Sequence, residues 1–406
     1  MKVRYSYLGQ QFADPDPILA ELKKLVASGD FTLGKPVAEF EKRFASLIGV
    51  RHAIGVGSGT DALKLPLKAL GIGHGDEVIT AANTFIATVG AIAEIGAKPV
   101  FVDALDNFCL DVEKVEAAIT PKTKAIMPVH FTGEMCDMPR LMEIAARHKL
   151  PVVEDACQAI LAECDGKRGG TWGIGAGFSL HPLKNLNVWG DAGIVVTNDD
   201  AMAAKLRLLR NHGLANRDEI EILGYNSRLD SVQAVVGNWL IPQTADITEK
   251  RIANGAYYDR AFSGIRQVRV PPRSNRVKRV FHLYMIFAEE RDALHQHCLK
   301  AGISAKVHYP IPVYRQQGLA HFGHKRGDFP VSDRQAALVG PVAGNEGLFV
   351  AVGFSGHGFK LAPTIGEALA QTVLGQKVRV PIADYDPGRF AAGKQLSGAY
   401  GIGSIS

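Results

Sequence analysis

The sequence has few cysteines, and they are dispersed. The five cysteines of the 406-residue chain form no Cys-x-x-Cys pair and no spacing typical of a metal site. This pattern predicts neither a disulfide framework nor a metal centre, and it is typical of proteins in a reducing cytosol. The first residues also lack the apolar core of a signal peptide, so we expect a cytoplasmic protein.

Long apolar runs and a large charge imbalance are also lacking. The longest apolar stretch, residues 85–97, contains Glu94 and is too short to cross a bilayer, so no membrane association is expected. The net charge is +5, and Lys and Arg are scattered, so no nucleic-acid partner is expected. With 47% apolar and 21% charged residues, the composition is that of a globular protein with one large domain and a smaller one.

Short apolar segments alternate with segments of helical periodicity through the first 245 residues. The strands predicted there include 52–56, 78–80, 99–103, 125–129 and 150–155. Nearly all-apolar strands of this kind predict a mostly parallel sheet with helices on both faces. The pattern changes near residues 245–270, and it predicts a smaller α+β domain after that point.

A glycine-rich turn joins the first predicted strand to a helix. It contains Ser58, Gly59 and Thr60, and its backbone N–H groups, its hydroxyls and the positive end of the helix suit an anion such as phosphate. The turn matches neither the Walker motif nor GxGxxG. A plain βα turn, with Thr60 or Asp61 as the helix N-cap, therefore stays open as the alternative.

Two further residues have a context suited to chemistry. Asp155 ends a predicted apolar strand, at the sheet edge where α/β proteins bind ligands, and its carboxylate could lie beneath a ring nitrogen or cap the next helix. Lys184 lies in a turn after the apolar strand at 177–180. Its amine could form a Schiff base with an aldehyde cofactor, or it could be a solvated loop lysine.

These features together match the needs of pyridoxal 5′-phosphate, which requires a lysine amine, a phosphate site and a carboxylate for its ring nitrogen. Across roughly residues 5–335 the chain resembles the fold-type I, pyridoxal-phosphate-dependent sugar-nucleotide aminotransferases of the DegT/StrS type. The motifs that carry the resemblance are Glu-Asp-Ala-x-Gln at 154–158, Phe-Ser-x-His-Pro-x-Lys-Asn-Leu at 178–186 and Gly-Tyr-Asn-Ser-Arg-Leu at 224–229. The resemblance implies an α/β fold, with a mostly parallel sheet of the seven-stranded type flanked by helices and a smaller α+β C-terminal domain.

The resemblance also implies roles for the matching residues. Lys184 would be the Schiff-base lysine and proton shuttle, and Asp155 the partner of the pyridine nitrogen. Gln158 would contact the ring hydroxyl, and Phe85 would stack on the ring. The implied phosphate ligands are Ser58, Gly59, Thr60 and Ser179.

Other matching residues imply a substrate mouth and a second subunit. His308 and Tyr309 belong to the segment that lines the mouth, and His181 is a further candidate there. Asn226, supported by Arg228, would reach the cofactor phosphate of the neighbouring subunit. The resemblance therefore implies a homodimer with shared active sites.

The implied reaction is a transamination. An amino acid, glutamate or glutamine, would supply the amino group, and a keto group on a nucleotide-linked sugar would receive it, in amino-sugar biosynthesis for lipopolysaccharide or antibiotics. Two alternatives stay open: a pyridoxal-phosphate-dependent sugar dehydratase or lyase, and a catalytically weak, cofactor-binding regulatory protein. One dehydratase branch of the family replaces the lysine with histidine, so Lys184 argues against that branch.

The C-terminal part departs from this family. From about residue 345 the sequence resembles the C-terminal segment of flavin-dependent amino-acid oxidases, but no GxGxxG fingerprint for FAD is present and no flavin is expected. We expect a large cofactor-binding domain at 1–245, a small domain at 246–345, and a tail at 346–406. In the tail we expect one strand–helix unit followed by a poorly ordered end.

Overall fold

The computed structural model describes residues 3–336 and the backbone of residues 347–351. Its strands, in chain order, are β1 (His52–Val56), β2 (Glu77–Ala81), β3 (Lys98–Val102), β4 (Thr123–Met127), β5 (Val153–Asp155), β6 (Glu163–Cys164), β7 (Lys167–Arg168), β8 (Gly175–Ser179), β9 (Gly193–Thr197), β10 (Val268–Arg269), β11 (Val277–Lys278), β12 (Tyr284–Ala288), β13 (Ala305–Lys306) and β14 (Gly347–Ala351). Its α-helices are α1 (Leu8–Gln11), α2 (Asp16–Ser28), α3 (Lys35–Ile48), α4 (Gly59–Ala69), α5 (Ile86–Glu94), α6 (Met138–Arg147), α7 (Asp200–Leu209), α8 (Ser231–Leu240), α9 (Thr244–Phe262), α10 (Arg291–Lys300) and α11 (Pro330–Ala336). Among these helices none is long and apolar enough to cross a membrane.

The main sheet has seven strands in the order β3-β2-β4-β5-β8-β9-β1. Two parallel bridges, Ile126 to Val152 and Val129 to Asp155, join the β3-β2-β4 ladder to the β5-β8-β9-β1 ladder. Only β9 runs against its neighbours in this sheet, since it pairs antiparallel with both β8 and β1. The predicted α/β fold with a mostly parallel, seven-stranded sheet is therefore confirmed.

Helix α3 shows how the apolar spacing builds the layers around this sheet. Phe40, Phe44 and Ile48 recur every four residues, so they share one helix face, and all three are buried. The helix ends at Gly49, whose φ of 87° is a left-handed conformation that favours glycine. The apolar face packs on α8 so closely that a Cβ on Gly237 would lie 2.7 Å from the Phe40 ring.

A second, antiparallel sheet lies in the C-terminal part, with the order β10-β12-β14-β13. The sequence predicted a strand at 280–286, whereas β12 begins at Tyr284 because residues 279–283 bind other parts of the chain. The strand β14 lies between β12 and β13. The helix, the poorly ordered end and most of the oxidase-like segment expected in the tail lie outside the described residues.

Glu154 is a buried carboxylate that joins the end of β5 to the segment before β8. Its Oε1 accepts hydrogen bonds from the backbone N–H groups of Trp172 at 2.8 Å and Gly173 at 3.0 Å. Its Oε2 accepts one from the Gly170 N–H at 2.8 Å and lies 3.0 Å from Nε2 of His130. Both Glu154 and His130 are fully buried, so this ion pair has no access to water.

The contacts of His130 shift it toward its charged form. Burial alone would lower the pKa of His130, but hydrogen bonds to Cys136 and Glu154 outweigh it and raise the pKa to about 10. Interactions with His130 and with the backbone N–H groups of Gly170 and Gly173 likewise lower the pKa of Glu154 against the effect of burial. The fold therefore contains a charged pair whose partners depend on each other.

Replacing Glu154 with alanine should destabilise the fold strongly. The variant leaves three backbone N–H groups without an acceptor and a buried imidazolium without a counter-charge, so we expect the free energy of unfolding to fall by about 3–5 kcal/mol at pH 7. Urea unfolding measures this loss. The control, Glu143→Ala, removes an exposed carboxylate on α6 and should change stability by less than about 1 kcal/mol. Equal stability losses in the two variants would contradict this account of Glu154.

Candidate active site

A turn between β1 and α4 forms one wall of the candidate site. Helix α4 begins at Gly59, and its N-cap is Ser58, whose Oγ accepts a hydrogen bond from the Asp61 N–H at 3.1 Å. The N-cap is thus not Thr60 or Asp61, the two residues that the sequence suggested for a plain turn. The N–H groups of the first helical turn have no partner within the helix, so they and the helix dipole favour an anion at this end.

Two glycines let the main sheet pack directly under this turn. A Cβ on Gly59 would lie 2.6 Å from the Cβ of Ser179, and a Cβ on Gly193 would lie 2.1 Å from the carbonyl oxygen of Ser58. Both distances are too short for any side chain, so a larger residue would push the turn off the sheet. This close approach brings the Ser179 hydroxyl beside Ser58, Gly59 and Thr60.

Asp155 lies at the carboxyl end of β5, where its side chain is fixed by two donors. The Thr88 hydroxyl on α5 donates to Oδ2 at 2.7 Å, and the backbone N–H of Cys157 donates to Oδ1 at 3.1 Å. The hydroxyl of Thr84 lies 2.7 Å from that of Thr88 and extends the chain of hydrogen bonds. Asp155 is only 5% exposed, so its carboxylate is held in one orientation at the cavity wall.

Lys184 lies in the turn that follows β8. Its backbone N–H donates to the carbonyl of His181 at 2.8 Å, and its carbonyl accepts from the Asn187 amide at 3.0 Å, so the backbone on both sides is fixed. Burial lowers the pKa of the Lys184 amine, while the nearby Cys157 and Asp155 oppose part of that shift. The neutral amine, which is the nucleophilic form, is therefore more abundant than in a solvated lysine.

One cavity of about 280 Å³ brings together almost all the residues that the sequence suggested. The predicted residues in its wall are Ser58, Gly59, Thr60, Phe85, Asp155, Gln158, Ser179, His181, Lys184, His308 and Tyr309. Asn226 does not line it; this residue is exposed and pairs through its backbone with Asn211. Arg228 is likewise outside the cavity wall, and its Nη1 donates to the side-chain oxygen of Asn211 at 3.1 Å.

The aromatic and amide side chains of the cavity have defined positions. Phe85 precedes α5 and is 47% exposed, and its ring lies 5.7 Å from the ring of Tyr309. The Gln158 Oε1 accepts a hydrogen bond from the Thr132 N–H at 2.7 Å, which orients its amide nitrogen as the remaining donor. Within the described part of the chain, that nitrogen and the Lys184 amine have no hydrogen-bond partner.

Several other wall residues were not expected from the sequence. Tyr7 and Arg251 both line the cavity, and Nη2 of Arg251 donates to the Tyr7 hydroxyl at 3.3 Å. Tyr5 and His282 are also in the wall, as is Thr88. Most of these residues are far from the motif residues in the sequence, and only the folded chain brings them to the same cavity. Thr88 is the exception, because it lies one helical turn after Phe85 and shares its edge of α5.

Groups of three or more His, Cys, Asp or Glu side chains that could hold a metal ion are absent from the described residues.

Two curated relatives are similar to most of this chain. The pleiotropic regulatory protein of Geobacillus stearothermophilus is 42% identical over 341 residues, which cover 83% of this chain and 91% of the relative. The UDP-N-acetyl-3-dehydro-α-D-glucosamine 3-aminotransferase of Acidithiobacillus ferrooxidans is 43% identical over 307 residues, which cover 75% of this chain and 83% of the relative.

A solved structure and a family profile complete the comparison. The crystal structure of DesV from S. venezuelae in complex with a ketimine intermediate superimposes with a TM-score of 0.86 at 35% identity, covering 92% of this chain and 98% of that chain. The sequence profile of the DegT/DnrJ/EryC1/StrS aminotransferase family matches residues 14–339. The chain therefore belongs to the DegT/DnrJ/EryC1/StrS aminotransferase family.

Proposed function

We propose that the protein is a pyridoxal-phosphate-dependent aminotransferase that aminates a keto group on a nucleotide-linked sugar. The observation that carries this proposal is the meeting of Lys184, Asp155 and the Ser58–Thr60 turn in one cavity. Family membership supports amino-group transfer, and the name of the A. ferrooxidans relative supports a nucleotide-sugar acceptor. The amino donor in this proposal is glutamate or glutamine.

The cavity fits pyridoxal 5′-phosphate in its donors and acceptors. The turn and the Ser179 hydroxyl offer donors to a phosphate, and the absent side chain of Gly59 lets Ser179 lie beside the turn. Asp155 offers a carboxylate to the ring nitrogen, and the Gln158 amide offers a donor to the ring hydroxyl. When bound, the cofactor would supply an aldehyde that accepts an amino group and a ring that acts as an electron sink.

Lys184 would have two tasks in the reaction. Its amine would hold the cofactor through the aldehyde. When free, its Nζ would take the proton from Cα of the donor and, in the second half-reaction, would give a proton to the sugar carbon that carries the new amino group. The lowered pKa of the amine favours its neutral form, which is the form that acts as a base.

Asp155 and Phe85 would orient the cofactor. The hydrogen bonds from Thr88 and from the Cys157 backbone fix the Asp155 carboxylate, so that its negative charge can stabilise a protonated ring nitrogen. The exposed Phe85 ring would cover one face of the cofactor ring and exclude water from it.

A second subunit would complete the site. Asn226 is exposed and lies outside the cavity of its own chain, which suits a contact with another subunit. Ile220 and Leu223 on the same segment are 63% and 91% exposed, as expected for apolar residues that a partner covers. The proposed assembly is a homodimer in the cytoplasm in which Asn226 reaches the partner's phosphate site.

A regulatory, weakly catalytic protein is the second candidate. The name of the G. stearothermophilus relative favours it. Mixing the purified protein with pyridoxal phosphate, glutamate and UDP-N-acetyl-3-dehydro-α-D-glucosamine distinguishes the candidates. An aminotransferase forms 2-oxoglutarate and an amino sugar in equal amounts, and a dehydratase or lyase alters the sugar without consuming glutamate. A purely regulatory protein forms none of these products.

Replacing Lys184 with alanine should abolish turnover. The variant lacks both the amine that holds the aldehyde and the base that moves the proton, so we expect kcat to fall by a factor of about 10³ or more. Formation of 2-oxoglutarate measures turnover, and the visible band of the lysine-bound cofactor should also disappear. Lys184→Arg keeps the positive charge and should be equally inactive; activity retained in either variant would refute the role of Lys184.

Replacing Thr88 with valine should weaken cofactor binding without unfolding the protein. The variant has nearly the same shape but loses the hydroxyl donor to Asp155, and a hydrogen bond to a charged group of this kind corresponds to about a tenfold to hundredfold change in affinity. Titration of the apo-protein with pyridoxal phosphate measures the affinity for the cofactor. Thr88→Ser restores the donor and should recover most of the affinity; a serine variant as weak as the valine variant would indicate a packing role instead.

The rate at which the apo-protein takes up pyridoxal phosphate should depend on the protonation of Lys184. Only the neutral amine reacts, so the rate rises with pH and levels off above the Lys184 pKa, with a midpoint below the usual 10.5. Asp155 raises that pKa, so Asp155→Asn should move the midpoint to lower pH. Asp191→Asn is the control: Asp191 acts on the pKa of His181 and should leave the midpoint unchanged. A midpoint that rises in Asp155→Asn would contradict the geometry.

A further inference from the structure

His282 lies in the cavity wall with no partner for its imidazole. The residue is only 8% exposed, and its Nδ1 is completely buried. Among the described residues, neither of its ring nitrogens makes a hydrogen bond. A buried polar group usually has a partner, because an unpaired one loses its hydration without compensation. A ligand in the cavity cannot reach the completely buried Nδ1, so the unpaired Nε2 is the nitrogen of this ring to which such a ligand would bind.

The backbone around His282 is fixed on several sides. Nη1 of Arg251 donates to the carbonyl of Phe281 at 2.9 Å and to that of His282 at 3.3 Å. The Val280 N–H donates to the carbonyl of Gly133 at 2.9 Å. Gly133 has a φ of 92°, and a Cβ there would lie 2.8 Å from the backbone nitrogen of His282. The imidazole is therefore presented to the cavity from a rigid segment.

His308 has a similar environment in the same cavity. Its Nε2 is buried without a partner in the described residues. Burial, with a smaller effect from the charges of Lys184 and Lys306, lowers the pKa of His308 to about 3. Burial and the charges of Lys184 and Arg251 also lower the pKa of His282 well below its usual value. Both rings are consequently neutral at pH 7.

A neutral imidazole selects a particular kind of ligand. One of its nitrogens donates a hydrogen bond and the other accepts one. One nitrogen of each ring is completely buried, so a ligand meets only the other one. A sugar hydroxyl can pair with that nitrogen whether it donates or accepts, whereas a carboxylate or a diphosphate can only accept and would be bound better by a cation. Two neutral imidazoles near Lys184 therefore match the hydroxyl groups of a sugar ring better than the charged groups of a donor or nucleotide.

We propose that His282, together with His308, binds the hydroxyl groups of the acceptor sugar next to the reacting carbon. This inference rests on the proposed function, since it specifies how the sugar is recognised in that site. His282 is then a specificity-determining residue, and Arg251 is a positioning residue that holds its backbone. The nucleotide and the amino donor make no contact with His282 in this proposal.

Equilibrium binding of paired ligands tests the proposal. UDP-N-acetylglucosamine and dTDP-glucose contain a sugar, and UDP and dTDP are the same nucleotides without it. In the wild type loaded with pyridoxal phosphate, at least one sugar nucleotide should bind more tightly than its nucleotide. In His282→Leu, we expect about tenfold weaker binding of that sugar nucleotide and less than about a twofold change for the nucleotide alone.

Three controls separate recognition from folding. His282→Asn keeps a donor and an acceptor on a shorter side chain and should recover part of the lost affinity. His297→Leu removes an exposed histidine on α10, outside the cavity wall, and should bind both ligands like the wild type. Conversion of the cofactor by glutamate in the absence of sugar is the third readout, because the proposal assigns His282 to the sugar and not to the donor.

Three results would overturn the proposal. The first is an equal loss of affinity for the nucleotide and the sugar nucleotide in His282→Leu. The second is a lost glutamate reaction with unchanged sugar binding, which would assign His282 to the donor. The third is a wild type that binds neither sugar nucleotide more tightly than its nucleotide. A wild type that shows the sugar-dependent difference but transfers no amino group would instead contradict the proposed function and leave this binding result standing.

Discussion

The buried Glu154 carboxylate fixes the end of β5, and the positions of the functional groups depend on it. It ties β5 to the segment at 170–173, which leads directly into β8. Side chains alternate along a strand, so Asp155 points away from Glu154 and into the cavity. Asp155 pairs in register with Gly177, two residues before Ser179. One structural carboxylate thus sets the place of a functional carboxylate relative to the lysine turn.

Removal from water determines the chemistry of the cavity as much as the identity of its residues. Burial is the largest cause of the lowered pKa of Lys184, His282 and His308. A neutral lysine is a nucleophile and a base, and a neutral histidine is a donor and an acceptor for uncharged groups. The same physical effect thus prepares one residue for proton transfer and, in our proposal, two others for recognition of a sugar.

Local sequence patterns indicated the Ser58 turn, Asp155 and Lys184, and the family resemblance supplied the other predicted residues of the wall. The strand–turn–helix at Ser58, the strand end at Asp155 and the turn at Lys184 are each visible within about ten residues, and the parallel sheet brings them together. Arg251 and His282 follow no such local pattern, because their contacts with the cavity depend on the path of the C-terminal part. The segment at 280–283 has the alternation of a strand, but its backbone binds Arg251 and Gly133. The strand β12 therefore begins only at Tyr284.

The central claim is that Lys184 carries the cofactor. Incubation of the purified protein with pyridoxal 5′-phosphate, reduction with borohydride and peptide mapping by mass spectrometry test it directly, because reduction makes the bond between lysine and cofactor permanent. We predict one modified peptide, with the pyridoxyl group on Lys184, and no modification when glutamate has first converted the cofactor. A pyridoxyl group on another lysine, or a protein that remains unmodified without glutamate, would contradict the assignment of this cavity as an aminotransferase active site.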